Sequence, residues 1–454
     1  MKNQGIYVSL DIGTTSIKVV VAEYIRGQLN IIGVGNEKSQ GLSRGVIVDI
    51  DETVESIKKA VKQAEQKSNI EIKDVIVGIP SNQISIEPCH GMIAVSSENR
   101  EITDVDVHNV ISAAKVRSVA PEREIISVIP EEFIVDGFDG IKDPRGMIGV
   151  RLELYASMIT GPKTIVHNIK RCIDKAGLNI EEMVIQPLAI SQVAMSAGER
   201  EFGTILIDMG GGQTTVASVK NQELQFTNIY QEGGDYVTKD ISKVLKTSQK
   251  LAESLKFNYG VAYVPFAGTE SFPVEVIGEV NPVEITETYL AEIISARIKH
   301  VFEQIKQDLD RRHVLDLPGG IVIVGGGAIL PGVVELAQEV FGVHAKLYVP
   351  NQIGIRNPAF AHVISLSEYA GNLTEVDRIA QAAVRGDEQL RHQATSFERP
   401  SHRVPRFDHQ PVEPVQPVQE VEPEIAPLRN EEPQEEPKAS LTDKMRNLIG
   451  NMFE

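Results

Sequence analysis

Two short segments bring a carboxylate, glycines and hydroxyls together in the same order: Asp11-Ile12-Gly13-Thr14-Thr15 and Asp208-Met209-Gly210-Gly211-Gly212-Gln213-Thr214-Thr215. That combination suits the holding of a triphosphate and its Mg2+. Phosphate oxygens want backbone N–H groups at close approach, which glycine permits. Threonine adds hydroxyl donors, and a carboxylate at each strand end serves the metal, usually through its waters. Two such turns facing each other would grip phosphates from both sides. Lys18 follows the first turn and lies within reach of a phosphate; the alternative is a solvated surface lysine. A third turn, Gly325-Gly326-Gly327, runs from a buried apolar strand into a helical pattern over Val333 to Val340. Glycines that open a helix suit adenosine or the α-phosphate. No Walker A segment is present and no GxGxxG follows a first strand, which disfavours P-loop and dinucleotide folds.

The elements that must position these turns repeat. After Asp11 come strands at Ile17 to Ala22 and Leu29 to Val34, with a turn at Gly27. A strand at Thr204 to Ile207 leads into Asp208, followed by strands at Val216 to Val219 and Leu224 to Asn228 around a turn at Asn221. Two copies of one β-β-β unit imply two related lobes. Apolar residues three or four apart predict helices at Val54 to Gln66, Thr164 to Ala176 and Tyr289 to Leu309. A chain of 454 residues is too long for one ordinary core.

Composition narrows the function. A net charge of −18 without a long Lys or Arg run argues against nucleic-acid binding. Cys89 and Cys172 are far apart in sequence, which excludes a disulfide scaffold or a Cys-rich metal site and fits a reducing compartment. The ten histidines show no metal-ligand spacing and read as scattered surface or core residues. Asp11 interrupts the first apolar run, so no signal peptide is expected, and no run of 18 apolar residues exists to span a bilayer.

Near Gly386 the composition shifts. Nine prolines lie between Pro400 and Pro437 among many Glu and Gln, predicting a disordered linker over 386–439. The last residues then regain helical periodicity: Leu441, Met445, Leu448, Ile449, Met452 and Phe453 share one face, flanked by Lys444 and Arg446. This reads as an amphipathic membrane-targeting helix over 440–454, its cations suited to anionic lipid; the alternative, a helix docked on the protein's own core, is opposed by the long linker before it. Its apolar side chains offer roughly 6–10 kcal/mol gross. Helix ordering takes back much of that, so one copy binds reversibly and several on a filament bind through avidity.

The two phosphate turns and the third glycine turn resemble the actin, Hsp70 and sugar-kinase superfamily. Within it the chain is similar to the FtsA family of bacterial cell-division proteins. The segments that carry this resemblance are Gly5–Ala22, IPEEFIVDGFDGIKDPRGMIGVRLE (Ile129–Glu153), QEGGDYVTKDIS (Gln231–Ser242), LPGGIVIVGGGAILPG (Leu317–Gly332) and the C-terminal helix. The resemblance implies an α/β, actin-like two-lobed fold with RNase H-like sheets flanked by helices. Subdomain 1A would span 1–83 and 162–202, with an inserted subdomain 1C at 84–161. Subdomain 2A would span 203–231 and 316–385, and 2B would span 232–315. Gln186 would stand where relatives orient the attacking water, or pack between lobes. Gly233 and Gly234 resemble a 2B contact to nucleotide, or form a plain turn. ATP and Mg2+ are the implied ligands, with Asp11 and Asp208 organising the metal and at most weak hydrolysis. The implied role is to self-assemble through 1C on the cytoplasmic face of the cell membrane at the division septum. There the protein would anchor the ring of the tubulin-like FtsZ and meet downstream division proteins. The FtsZ tail is expected on 2B, near Asp235 to Leu309, where Arg297, Lys299 and Lys306 present cations or simply form a solvated face. Alternatives are a rod-shape or pilus-assembly ATPase, or a small-molecule kinase; the insert and the tail argue against these.

Overall fold

The computed structural model describes residues 5–397 except 26, 117–118 and 353–354, with side chains described to Gly386. The first lobe begins with β1 (Gly5–Ile12), β2 (Ser16–Ile25) and β3 (Gln28–Lys38). A small hairpin, β4 (Leu42–Ser43) and β5 (Val46–Ile47), leads to α1 (Ile50–Ser68) and β6 (Asp74–Ile79). Helix α1 is bounded by side-chain chemistry. Asp49 caps its start by accepting from the Glu52 N–H, and Asn69, in the left-handed region, ends it.

An insert follows: β7 (Ser85–Ala94), α2 (Asp104–Ala114), β8 (Arg123–Val135), β9 (Phe138–Ile141) and β10 (Arg151–Pro162), forming a sheet in the order β7-β10-β8-β9. The chain then completes the first lobe with α3 (Lys163–Ala176), β11 (Asn179–Ile185) and α4 (Gln186–Ala194). Pro187 sits in the first turn of α4, where its missing N–H costs nothing.

The second lobe repeats the plan with α5 (Ala197–Phe202), β12 (Thr204–Met209), β13 (Thr214–Lys220) and β14 (Glu223–Tyr230). A smaller subdomain carries α6 (Gly234–Val244), α7 (Gln249–Tyr259), β15 (Ser271–Val274), β16 (Val283–Thr286) and α8 (Glu287–Arg311). Then come β17 (Ile321–Val324), α9 (Val333–Phe341), β18 (Ala345–Leu347), α10 (Ala361–Asn372) and α11 (Glu375–Phe397).

The duplication is visible in the sheets. One has the order β11-β6-β1-β2-β3 and the other β18-β17-β12-β13-β14. In each, the first strand of the unit pairs antiparallel with the second and parallel with the later strand beside it. Burial on both faces explains the nearly continuous apolar runs of these central strands. Helix α4 fills the junction. Its Leu188, Ile190 and Ala194 share a core with Leu10 and Val77 of the first lobe and with Leu206, Val219 and Val322 of the second.

Two expected boundaries move. The sequence places residues 316–385 whole in the second lobe. Instead α10 returns to the first lobe, where Leu366 and Ala370 bury against Tyr7, Tyr24 and Ile76. Val376, Ala380, Ala383 and Val384 of α11 complete the core of the insert. The linker expected from Gly386 also starts later, since α11 continues to Phe397. Helical periodicity that serves a distant subdomain looked in sequence like the beginning of a polar tail. No helix among the described residues is long and apolar enough to cross a membrane. The rest of the expected linker and the expected amphipathic helix, with Leu441, Lys444, Met445, Arg446, Leu448, Ile449, Met452 and Phe453, lie outside the described residues.

Candidate functional site: a carboxylate-lined cleft between the lobes

The ends of β1 and β12 carry the two carboxylates. Asp11 is 4% exposed and Asp208 is 6% exposed. Gln186, the first residue of α4, donates its Nε2 to Asp11 Oδ1 at 2.9 Å. Lys18 lies opposite Asp11 in the β1–β2 register, its Nζ 3.7 Å from Asp11 Oδ2. That lysine is buried, which removes the reading of a solvated surface cation. Asp208 is differently served. Its Oδ2 lies 2.9 Å from His362 Nε2, while Oδ1 is buried without a hydrogen-bond partner.

His362 enters from the first turn of α10, with Nδ1 3.9 Å from Asp11 Oδ1. Burial opposes a charge on its ring. The Asp208 carboxylate, by charge and hydrogen bond, and the Asp11 charge outweigh that and push its pKa up to about 9, against a smaller opposing effect from Lys18.

The glycines shape the walls. A Cβ on Gly13 or on Gly210 would stand 2.8 Å from a main-chain oxygen, of Ser16 and Gln213 respectively. The two turns are thus alike at atomic detail. The glycines that follow are matched to the opposite turn: a Cβ on Gly211 would reach 2.2 Å from the Thr15 methyl, and one on Gly212 2.5 Å from that of Thr14. Gly325 has a φ of +94°, and its Cβ would fall 2.5 Å from Asp208 Oδ1. Together these residues enclose a cavity of about 120 Å³.

The cleft collects Asp11, Gly13, Thr14, Thr15, Lys18, Gln186, Asp208, Gly210, Gly211, Gly212, Gln213, Gly325 and Gly326 from the predicted set. Other predicted residues stand behind it. Thr214 Oγ1 donates to the Glu232 carbonyl at 2.7 Å, and Gly234 N–H to the Gly210 carbonyl at 3.0 Å. A Cβ on Gly233 would hit the Gly210 and Gly211 carbonyls, so this pair braces the second turn from outside the cleft. Gly327 packs on the Met209 carbonyl. The third glycine turn does not open a helix directly: it forms a single 3-10 turn over Gly326–Ile329, and α9 starts only after Pro331-Gly332.

Sequence reading missed His362, Gly45, Pro80 and Ala359, all of which line the cleft. The Gly45 N–H donates to Thr14 Oγ1 at 2.9 Å. Asn82 was also missed; its side-chain amide pairs with that of Gln213 across the lobes, at 3.4 Å in each direction. A histidine without ligand spacing gave no signal of this role.

The cations expected to meet a partner are largely committed within the chain. Arg297 bonds Asp240 at 2.5 Å and Glu232 at 2.9 Å, tying α8 to α6 and to the end of β14. Lys306 donates to the Val340 carbonyl at 2.7 Å. Lys299 is half exposed and lies 3.7 Å from Glu339. Cys89 and Cys172 are buried and not disulfide-bonded, and burial pushes the Cys172 thiol up to about 11.

Residues 205–365 match the family described as cell division protein FtsA, residues 81–160 the SHS2 domain inserted in FtsA, and residues 376–454 the C-terminal region of cell division protein FtsA. The chain is 59% identical to the cell division protein FtsA of Streptococcus pneumoniae serotype 2, covering 100% of both chains. It is 46% identical to that of Bacillus subtilis, covering 82% of this chain and 84% of the relative, and 31% identical to that of Escherichia coli K12, covering 80% and 89%. Among solved structures, a PilM-PilN type IV pilus biogenesis complex matches with a TM-score of 0.56 at 13% identity, covering 82% of this chain and 100% of the other. MreB5 of Spiroplasma citri bound to ADP matches with a TM-score of 0.51 at 15% identity, covering 80% and 95%. These structural likenesses show the fold, which is actin-like.

Proposed function

The chain belongs to the FtsA family of bacterial cell-division proteins, and from that premise we propose that it binds ATP with Mg2+ between its lobes, assembles on the cytoplasmic membrane and anchors the FtsZ ring there. The observation that carries the nucleotide part is the pair of carboxylates at matching strand ends, with Asp208 Oδ1 buried and unpartnered. A buried carboxylate oxygen without a partner is costly unless a cation or water serves it. Asp11 and Asp208 would hold Mg2+, which when bound neutralises phosphate charge. The two turns would offer phosphate oxygens their threonine hydroxyls and those N–H groups not spent within the turn, as Gly210's is on the Gln213 carbonyl, and Lys18 adds a buried side chain on the Asp11 side. Gln186 holds Asp11 in place and lines the same wall, a position from which an amide can orient water but abstracts protons poorly.

Membrane anchoring rests on the amphipathic periodicity of Leu441 to Phe453. Filament formation through the insert is supported by its separate core. The FtsZ tail is assigned to the smaller subdomain of the second lobe, where α8 presents a half-exposed Lys299 and an exposed Tyr289. Charge reversal at Lys299 is a cleaner probe than at Arg297, which holds the subdomain together. The family match sets aside the kinase and rod-shape alternatives.

Calorimetric titration of the full chain with ATP, with and without Mg2+, tests the site: Mg2+-dependent binding supports it, and no binding in either condition sinks it. Flotation with anionic vesicles tests the anchor. Loss of flotation on deleting residues 441–454, with an unchanged circular dichroism spectrum, supports it, whereas a truncated chain that still floats rules it out.

A further inference from the structure

We infer that His362 is a latch between the lobes, holding the cleft closed until Mg2+ and nucleotide take Asp208 from it. This deepens the nucleotide reading and rests on it. Helix α10 is bolted to the first lobe. Ser9 Oγ on β1 donates to the Val363 carbonyl at 2.5 Å and shares a hydrogen bond with Ser367 Oγ at 2.8 Å. Val363 and Ile364 are buried against Val20 and Ala22 of β2. His362 therefore moves with the first lobe, while Asp208 is fixed in the second by its pairing with β13 and β17. The 2.9 Å contact between them crosses the boundary.

Beside that contact the two turns meet closely along one side of the cavity of about 120 Å³. Gly211 and Gly212 lie so close to Thr15 and Thr14 that even a Cβ would not fit between the two turns. A ligand that wedges between these turns parts the lobes there. Parting them stretches His362–Asp208 directly, together with the longer Asn82–Gln213 amide pair. The groups that face the imidazole are Asp11, Asp208 and Lys18. A cation drawn to Asp208 would compete with the imidazole for its Oδ2. Asp208 Oδ1, buried and unpartnered, gives the arriving cation a first contact before the ring lets go.

The test uses the full chain, as wild type, His362→Ala and His362→Gln, the last keeping a side-chain N–H. Amide hydrogen exchange of the nucleotide-free protein is read over residues 208–215, and association of Mg2+-ATP by stopped flow. His362→Ala should accelerate both by about threefold to tenfold, the worth of one partly buried hydrogen bond. His362→Gln should fall between Ala and wild type. Unchanged or slower exchange and association in His362→Ala overturns the latch. The exchange measurement needs no nucleotide, so it stands if wild-type protein fails to bind Mg2+-ATP, a result that would sink the nucleotide reading instead.

Discussion

Two helices that arrive late in the chain each bring a polar group to a buried carboxylate, with opposite results. Helix α10 carries His362 to Asp208 in the cleft between the lobes. Helix α11 carries Gln381 to Glu182 on β11, at the seam between the first lobe and the insert. In the cleft the His362 imidazole faces the acid, with Lys18 close to its neighbour Asp11. At the seam burial dominates and pushes the Glu182 pKa up to about 8, with Arg385 opposing only in part. The seam also contains an aliphatic row, Val376, Ala380, Ala383 and Val384, while the cleft is walled by glycine and hydroxyls. The difference teaches that burying an acid does not by itself make a binding site. What marks the cleft is an acid met by an imidazole from the other lobe, with one oxygen unspent.

The sharpest way to break the comparison is steric. Gly325→Ala places a methyl at a positive φ and 2.5 Å from Asp208 Oδ1. It should cost about 3 kcal/mol in equilibrium denaturation and abolish ATP binding. In Gly326→Ala the new Cβ meets only the Ala359 Cβ, at 3.6 Å. That change should stay within about 0.5 kcal/mol of wild type. Equal losses in both variants would mean that crowding at Asp208 is not what the glycine serves.

At the seam the prediction is a pH dependence. The carboxyl of Glu182 has a raised pKa when folded, so its contribution is fully present below the unfolded value near 4.5 and is lost as pH rises through about 8. Between pH 6 and 7.5 the loss should be about 2 kcal/mol, at about 1.4 kcal/mol per unit. Glu182→Gln keeps an acceptor for Gln381 and removes the titration. Its stability relative to wild type should therefore climb over that interval in urea melts. A flat difference would show that the seam tolerates the charge.

Asp208→Asn should lower Mg2+-dependent ATP affinity at least about tenfold, near 1.4 kcal/mol. Asp11→Asn should lower it less, because both Asp11 oxygens already have neighbours in Gln186, Lys18 and His362. The measurement is titration with and without EDTA, and a larger loss for Asp11→Asn would reverse the roles given to the two carboxylates.

The contrast also explains what could be read from residues alone. Both Asp-Gly-Thr turns were legible because each is local: strand, carboxylate, glycine and hydroxyl follow one another within a few positions. The sheets were legible for the same reason, since each β-β-β unit is contiguous. His362 was not legible, because its meaning depends on α10 folding back onto a sheet whose central strand lies some 350 residues earlier. Glu182 and Gln381 were hidden likewise. The periodicity of α11 was outweighed by the polar composition around Gly386, and nothing in the chain announces that Ala380 and Ala383 fill the core of an insert begun near residue 84. Arg297 and Lys306 show the reverse error: cations on a predicted helix looked available, yet Asp240, Glu232 and the Val340 carbonyl had claimed them.

The smallest effect should come from the ionic edge of the seam. Arg145 of the insert reaches Glu375 at the start of α11 at 2.6 Å, Asp143 at 2.8 Å and Asp104 at the start of α2 at 3.2 Å. The arrangement looks like a clamp between helix and insert. Its three carboxylates, however, are 48–73% exposed, so water already serves them and salt screens the attraction. Removing the arginine leaves no buried orphan. The burden of holding α11 then falls on Val376, Ala380, Ala383 and Val384, and on the Lys115 ammonium, which donates to the Ala383 carbonyl at 2.6 Å in a buried setting. Arg145→Ala should therefore cost less than about 1 kcal/mol in chemical denaturation and lose even that in high salt. A loss above about 2 kcal/mol that persists at high salt would mean that charge, not packing, closes the seam, and the cleft would no longer be the place where this fold keeps its working ions.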